Sequence, residues 1–450
     1  MAVKRVEPTG ERRDYTPDQI FFSTTDKRGM IVTVNSTFVE LSRFAEDELV
    51  GEPHNIIRHP DMPGAVFHIM WERLLAGQSM MGYVQNLARD GAYYLTFSTV
   101  TPLSEGFISV RSAVTRPDLW EPVSRAYAHT RALENKWRRG GMPRAQAASQ
   151  GAEDLGARLA ALGFPTYDDV IRAVVPAEVD ERRRLAPPHA PPTAPGQPLH
   201  EVVLAIGAVD RELMTLRARY EDATEVAASL DSAQAAFVVT LEGLEDAAAA
   251  AADAAATVGT AAPAAAKTAQ AALSLAVTAR KDLAPLAPLL AEVRGIVLDL
   301  RASLALSVLH NDMALTFARD AASGSSVGDP QGTVVLLGET VSASVRQGEV
   351  MSQRVREELG QVVASIHEAH EALMSFQRML TNWRHVVVRS GVSQRLGALV
   401  DPIDSRLSAG LTEMNDLDRL AQRCATLALT LESAALREAA EGLVIAARRL

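Results

Sequence analysis

Hydrophobic and polar positions alternate in short runs along the first 120 residues, a pattern typical of strands joined by small helices. Gln19 to Asn35 predicts a strand, a turn at Asp26–Gly29 and a second strand, because the residues after the turn are mostly β-branched. We therefore expect an α+β domain with one cavity between its sheet and its helices. The remaining predicted elements are helices within 36–50 and 65–76 and strands at 81–87, 92–101 and 106–113.

The second half of the chain has a different pattern, in which apolar residues recur every three or four positions. Three such runs, Ile206–Ala248, Leu359–Val387 and Ile403–Leu431, predict long helices with coiled-coil seams. Gly259 and Pro263 are expected to break the alanine-rich stretch between the first two runs. Because an apolar seam must meet another helix, we predict a homodimer through this region. A bundle in which the later runs cover the first within one chain remains the alternative.

These patterns divide the chain into four predicted parts. Residues 17–118 form the α+β domain, and residues 119–181 contribute an exit helix and a small helical segment. The Pro-rich stretch at 182–200 is expected to be an extended, semi-rigid linker. Residues 201–450 are predicted to form an all-α region of coiled coils or helical bundles.

Composition and charge narrow the class of protein. The net charge of −10 argues against a nucleic-acid binder, and low aromatic content with abundant alanine favours helices. The single cysteine, Cys424, excludes an internal disulfide and a cysteine-based zinc site. With neither a secretory signal nor a long Leu/Ile/Val/Phe run, we expect a soluble cytoplasmic protein without a membrane span.

The richest polar chemistry lies between Gly51 and Trp71, GEPHNIIRHPDMPGAVFHIMW. Its three prolines stop a helix from running through it, so Arg58, His59 and Asp61 are predicted to sit on short, stiff turns. Polar side chains on a rigid loop favour a binding site over simple capping.

Phe21 to Leu119 resembles the PAS domain of bacterial aerotaxis receptors. The matching residues are Ser23–Asp26, Asn35, Thr37–Ser42, Glu48–Pro63, Met70, Trp71, Asn86, Asp90, Gly91 and Ser109–Arg111. The resemblance implies a PAS fold that holds FAD non-covalently and reports its redox state. The flavin-site candidates are Asn35, His54, Asn55, Arg58, His59, Asp61, Trp71 and Asn86.

The chemistry of these residues suits a flavin. Arg58 can donate two hydrogen bonds to phosphate or carbonyl oxygens. The amides of Asn35 and Asn86 can donate to and accept from the ring edge. Asp61 is expected to orient Arg58 or His59, and Trp71 to stack.

Structural alternatives remain open for these side chains. Asn35 is equally consistent with a turn residue, and His54 and Asn55 with caps of the next turn. Arg58 and Asp61 are compatible with a simple salt bridge, and Trp71 with a core residue.

Two alternatives to flavin also remain. Met80 and Leu95 stand where the family has aromatic residues, which leaves a cofactor-free PAS interaction module as the alternative function. Haem, ligated through His54, His59 or His68, is the rival cofactor.

A segment of the helical half also resembles a known family. Asp312–Arg319 and Gly332–Val341 look like a chemoreceptor signalling tip in which Asp312 and Thr316 replace the family's Asn and Glu. The resemblance implies a helix, a turn near 322–332 and a returning helix, with a signalling protein as partner. An ordinary helical bundle is the alternative.

Together these features predict a signal-transduction protein that senses redox state or oxygen. Phosphate-loop, dinucleotide-fingerprint and nucleophile–base motifs are all missing from the sequence, so an enzyme is not expected. We predict neither catalytic nor metal-binding residues.

Overall fold

Five strands make up the N-terminal part of the computed structural model of the chain: β1 (Phe21–Asp26), β2 (Ile31–Val34), β3 (Met80–Leu87), β4 (Tyr93–Pro102) and β5 (Gly106–Ala113). They form one antiparallel sheet in the order β2-β1-β5-β4-β3. The α+β class and the number of strands are confirmed.

The structure describes residues 6–186, 199–322, 324, 329–430 and 434–449, without the side chains of 219–224, 282–283, 410–411 and 429–430. The chain divides into two compact units. One comprises Met1–Thr215, Arg301–Gly348 and Ala434–Leu450, and the other comprises Leu216–Leu300 and Glu349–Ser433.

Small helices cross one face of the sheet. They are α1 (Ser36–Ser42), α2 (Glu46–Leu49), a 3-10 turn (His54–Ile57) and α3 (Gly64–Leu75). The prolines between Gly51 and Trp71 act as predicted, because α3 begins only after Pro63. The Phe21, Phe38 and Tyr94 rings form the centre of the core beneath α1.

Three helices follow the sheet: α4 (Pro117–Arg139), α5 (Arg144–Ala161) and α6 (Tyr167–Leu185). The last corrects the predicted linker boundary, since residues 182–185 belong to α6 rather than to an extended segment. Arg182 is buried there and forms an ion pair with Asp312, which fixes the helix end. Residues 187–198, most of the predicted linker, lie outside the described part of the chain.

Long helices build the rest of the chain. The main ones are α7 (His200–Val258), α8 (Pro263–Leu283), α9 (Leu286–Ala322) and α10 (Pro330–Arg389). A 3-10 turn at Gly259–Ala261 and the start of α8 at Pro263 confirm the predicted break. The chain ends with α11 (Ser393–Leu396), a 3-10 turn (Gly397–Val400), α12 (Asp401–Thr430) and α13 (Ala434–Arg448).

Most described side chains of the apolar seams that predicted a homodimer are buried within one chain. All nine seam residues from Leu359 to Val387 are buried, as are Leu213 and Leu216 of the first run. A second copy is therefore not needed to cover these positions. The structure does not describe the side chains of four seam residues, Tyr220, Ala223, Leu411 and Leu431.

The segment that resembles a signalling tip is also covered. Asp312, Phe317 and Ala318 are each at most 3% exposed. The segment packs against the sheet and α6 of its own unit, so these three side chains are not presented to another protein. Among the helices that the structure describes, none has the length and apolar character needed to cross a bilayer.

Candidate functional site

A cavity of about 230 Å³ lies between the inner face of the sheet and α3. Strand alternation creates it, because every second residue of a strand points to the same face. Its volume exceeds the roughly 150 Å³ that takes a benzene ring, and is below the roughly 300–1,000 Å³ of sites enclosing drug-sized ligands. The lining residues are Thr25, Arg28, Gly29, Pro53, His54, Asn55, Ile57, Arg58, Phe67, Met70, Trp71, Leu74, Val84, Asn86, Ser98, Val100, Phe107, Ser109 and Arg111.

Arg111 is the most unusual residue of this lining. Its side chain is only 3% exposed, and no carboxylate pairs with it among the described residues. Its guanidinium donates to Ser23 Oγ at 3.3 Å and to Nε2 of His54, and it lies over the Phe21 and Phe38 rings. Burial lowers its pKa to about 10, so it stays charged at neutral pH. A buried cation without a counter-charge favours an electron-rich ligand.

Two further polar groups of the lining have no partner in the structure. Asn86 Nδ2 and Ser109 Oγ are buried and make no hydrogen bond. Buried polar atoms are nearly always satisfied, so these two atoms of the cavity wall are available to hydrogen-bond a ligand. The described lining contains three arginines and no acidic residue. These polar groups fit a ligand that presents several acceptor atoms.

Aromatic and apolar side chains form the flat walls of the cavity. Trp71 packs edge to face on Phe107 with ring centroids 5.6 Å apart. The Arg58 guanidinium lies 3.8 Å from the Phe67 ring centroid and donates to the Met62 carbonyl at 3.3 Å. Burial, followed by Arg144 and Arg131, lowers the Arg58 pKa to about 10. Flat apolar walls with charged corners suit a planar, polar-edged ring system.

His54 is a neutral acceptor rather than a free ligand. Burial and the neighbouring Arg111 hold its pKa well below the usual value. Because Arg111 donates to Nε2, we assign the proton to Nδ1. His59 and His68 do not line the cavity, and the His54 nitrogen that faces Arg111 is occupied. This geometry does not favour haem ligation.

Five of the eight predicted site residues line the cavity: His54, Asn55, Arg58, Trp71 and Asn86. Asn35 lies outside the lining and is fully engaged in the fold. Its Oδ1 accepts from the Phe22 and Phe38 amides, and its Nδ2 donates to the Ile20 carbonyl at 3.1 Å. Asn35 is the N-cap of α1, a role that differs from both the predicted ligand and the alternative of a turn residue.

His59 and Asp61 also lie outside the lining. His59 is buried beside Tyr93, and its Nδ1 accepts from the Asp61 amide at 3.2 Å. The Asp61 carboxylate is 81% exposed and lies 3.8 Å from His59 Nδ1. Among the described ion pairs, none joins Arg58 to Asp61. The salt-bridge alternative for this pair therefore does not apply.

Sequence reasoning missed Arg111, Ser109, Ser98 and Phe107 as site residues. The sequence of β5, GFISVRSA, carries one weak signal, because Arg111 is the single charged residue among apolar and small ones. Met80 and Leu95, which stand where the family has aromatic residues, do not line the cavity. The walls are therefore built without these two positions. No cluster of three or more His, Cys, Asp or Glu residues suited to a metal occurs in the described part.

Comparisons with known proteins agree with this architecture. A stretch of 125 residues is 34% identical to the aerotaxis receptor of Escherichia coli (strain K12), covering 26% of this chain and 25% of that protein. A stretch of 84 residues is 29% identical to the nitrogen fixation regulatory protein of Klebsiella pneumoniae, covering 19% of this chain and 17% of that protein. The N-terminal region has the five-stranded antiparallel sheet of a PAS fold.

Solved structures with this fold show low overall similarity. The PAS domain of a protein from Colwellia psychrerythraea is 22% identical and covers 22% of this chain and 87% of its own, with a TM-score of 0.19. The RsLOV d2 variant is 16% identical and covers 33% and 91%, with a TM-score of 0.21. No protein-family model matches the chain. The chain spans at most about a quarter of the length of the curated relatives it matches.

Proposed function

We propose that this protein is a signal-transduction sensor whose PAS cavity binds FAD. The observation that carries the proposal is Arg111, a buried guanidinium without a carboxylate partner in the wall of a flat-sided cavity. The unpartnered Asn86 Nδ2 and Ser109 Oγ add donors where a flavin ring presents acceptors. Resemblance to flavin-binding PAS domains of aerotaxis receptors supports the same ligand.

The residues divide into two groups in this proposal. Arg111, Asn86 and Ser109 would hold the polar edge of the ring, and Trp71 and Phe67 would contact its faces. Arg28, Asn55 and Arg58 would hold the phosphate part, which the volume of the cavity leaves outside. Bound flavin supplies a group whose charge and electron count change with redox state. The buried arginine keeps that group oriented and excludes a competing cation from the cavity.

The sensor class is supported by the two named relatives, an aerotaxis receptor and a nitrogen fixation regulatory protein. Redox or oxygen sensing, a cytoplasmic location and a signalling partner protein remain part of the proposal. The homodimer also remains a prediction, and because Leu213 and Leu216 are buried within one chain we place its interface elsewhere.

The test is the absorption spectrum of the purified full chain, followed by denaturation and chromatography of the released compound. We expect a yellow protein that releases FAD, or a colourless one that becomes yellow after incubation with FAD and gel filtration. A chain that stays colourless with FAD, FMN and riboflavin would reject the flavin site and favour the cofactor-free interaction module.

A further inference from the structure

The face of the sheet opposite the cavity packs against helix α9 of the same unit. Phe22 of β1 and Phe317 of α9 meet edge to face, with ring centroids 5.5 Å apart and planes at 78°. Neither side chain is more than 1% exposed. We call residues 312–320 of α9 the docking segment.

A buried charge cluster fixes one end of the docking segment. The carboxylate of Asp312 receives hydrogen bonds from Arg182 and Arg183 of α6, and Arg183 Nε lies 3.0 Å from Asp312 Oδ2. Arg183 also pairs with Asp210 of α7. Charged hydrogen bonds of this kind are directional and need both partners in place. They therefore set the position of α9 against α6.

Asn35 organises the other end of the docking segment. Its amide holds the Phe22 backbone and caps α1, and the next residue, Ser36, donates its Oγ to Asp320 at 3.3 Å. Both Phe22 and Ser36 thus depend on one buried amide. This gives Asn35 a positioning role at the docking contact and explains its burial away from the cavity.

The same strand connects this contact to the cavity. Ser23, the residue after Phe22, accepts from Arg111 on the inner face. In the sheet, Phe21 lies opposite Arg111 and Phe22 opposite Val110. Ser23, which accepts from the cation of β5, and Phe22, whose ring faces α9, are therefore adjacent residues of β1.

We propose that the docking segment reads the state of the cavity through β1, by direct contact rather than through the Pro-rich stretch. This inference rests on the proposed flavin site and names its internal partner. A ligand that accepts from Arg111 orders β1 and β5, which holds Phe22 in the position that Phe317 contacts. Occupancy of the cavity and docking of α9 then strengthen each other, and such coupling is reciprocal.

Hydrogen exchange of the full chain, with and without FAD, tests this coupling. We expect FAD to slow amide exchange in residues 312–320 at least threefold in the wild type. Asp312→Asn and the milder Phe317→Leu should abolish this slowing and weaken FAD binding by the same factor. The matched control is Asp404→Asn on α12, which removes a partly exposed ion-pair partner of Arg384. It should change neither the exchange of residues 312–320 nor the FAD affinity.

The outcomes separate this inference from the proposed function. If both docking variants bind FAD with wild-type affinity, or if FAD slows exchange elsewhere but not at 312–320, the coupling is wrong and the flavin site stands. Phe317→Leu keeps an apolar side chain and decides the matter if Asp312→Asn does not fold. A wild-type chain that takes up no flavin overturns the proposed function and this coupling with it.

Discussion

Arg58 and Asp61 were predicted together from one motif, yet the structure separates them. Arg58 lines the cavity, whereas the Asp61 carboxylate is exposed to solvent. Arg58→Ala should lower FAD affinity about tenfold or more, since a hydrogen bond to a charged group contributes about 1.5–3 kcal/mol. Asp61→Ala should change FAD affinity less than twofold. Equilibrium dialysis of both variants measures this, and equal losses would place Asp61 at the ligand.

Some residues of the cavity lining could be predicted from the sequence, and others could not. His54, Asn55 and Arg58 of the segment between Gly51 and Trp71 line the cavity, because the prolines of that segment restrict its backbone locally. Arg111 and Ser109 lie about 50 residues away and reach the cavity only through pairing of β5 with β1 and β4. The sequence left Asn35 open between a ligand and a turn residue, and the three hydrogen bonds of its amide show that it is a cap instead.

Helix α3 depends on a carboxylate from another helix. Glu134 of α4 is 2% exposed and accepts from the Gly64 and Ala65 amides at 2.7 and 2.8 Å. Glu134→Ala should lower the free energy of unfolding by about 2–3 kcal/mol, because two helix N-terminal amides lose their acceptor. It should also weaken FAD binding, since α3 carries Phe67 and Trp71.

Urea unfolding and FAD titration check the prediction for Glu134. The exposed Glu153→Ala on α5 serves as the control and should match the wild type in both. A Glu134→Ala protein with unchanged stability would mean that water or another group satisfies the α3 amides.

A buried histidine joins α9 to α10. His310 Nδ1 lies 2.7 Å from Ser344 Oγ, Nε2 has no partner, and burial lowers the His310 pKa to about 4. An unfolded histidine has a pKa of about 6.5. Between these values the unfolded chain binds more protons, so stability falls as pH falls from about 6.5 to about 4, by roughly 3 kcal/mol.

Urea unfolding of the wild type and His310→Gln at pH 7, 6, 5 and 4.5 isolates this contribution. Carboxylates titrate in both proteins, so only the difference between the two reports on His310. We expect the variant to lose less stability toward low pH. Parallel pH profiles would show that His310 takes up its proton without opening the helix pair.

At the scale of elements, local pattern predicted the strands well and helix ends less well. The strand bounds differ from the prediction by at most two residues because turns with glycine mark most of them. Helix α6 extends further than predicted, because its final turn is held by Asp312, about 130 residues further along the chain. Long-range ion pairs of this kind leave no periodic signal in the sequence.

Most of the described seam side chains are buried within one chain. Leu213 and Leu216 are 1% and 4% exposed in α7, so replacing both by Asp puts two charges into packed interior. We expect loss of helical circular dichroism and a lower melting temperature. Val239→Asp, at a 65% exposed position of the same helix, should leave both unchanged. A double variant that keeps its fold and only halves its mass in light scattering would place Leu213 and Leu216 in a dimer interface.

If the buried charge of Arg111 holds a flavin, the FAD affinity of the full chain depends on this residue. Equilibrium dialysis should give one FAD per wild-type chain and at least tenfold weaker binding by Arg111→Met, since each 1.4 kcal/mol is a factor of about ten. Arg89→Met, which removes a half-exposed partner of Glu48, should bind FAD like the wild type. The melting temperature of ligand-free Arg111→Met should not fall, because the substitution removes a buried charge that has no counter-charge, and such a charge destabilises the fold. Equal FAD affinity of wild type and Arg111→Met would contradict the account.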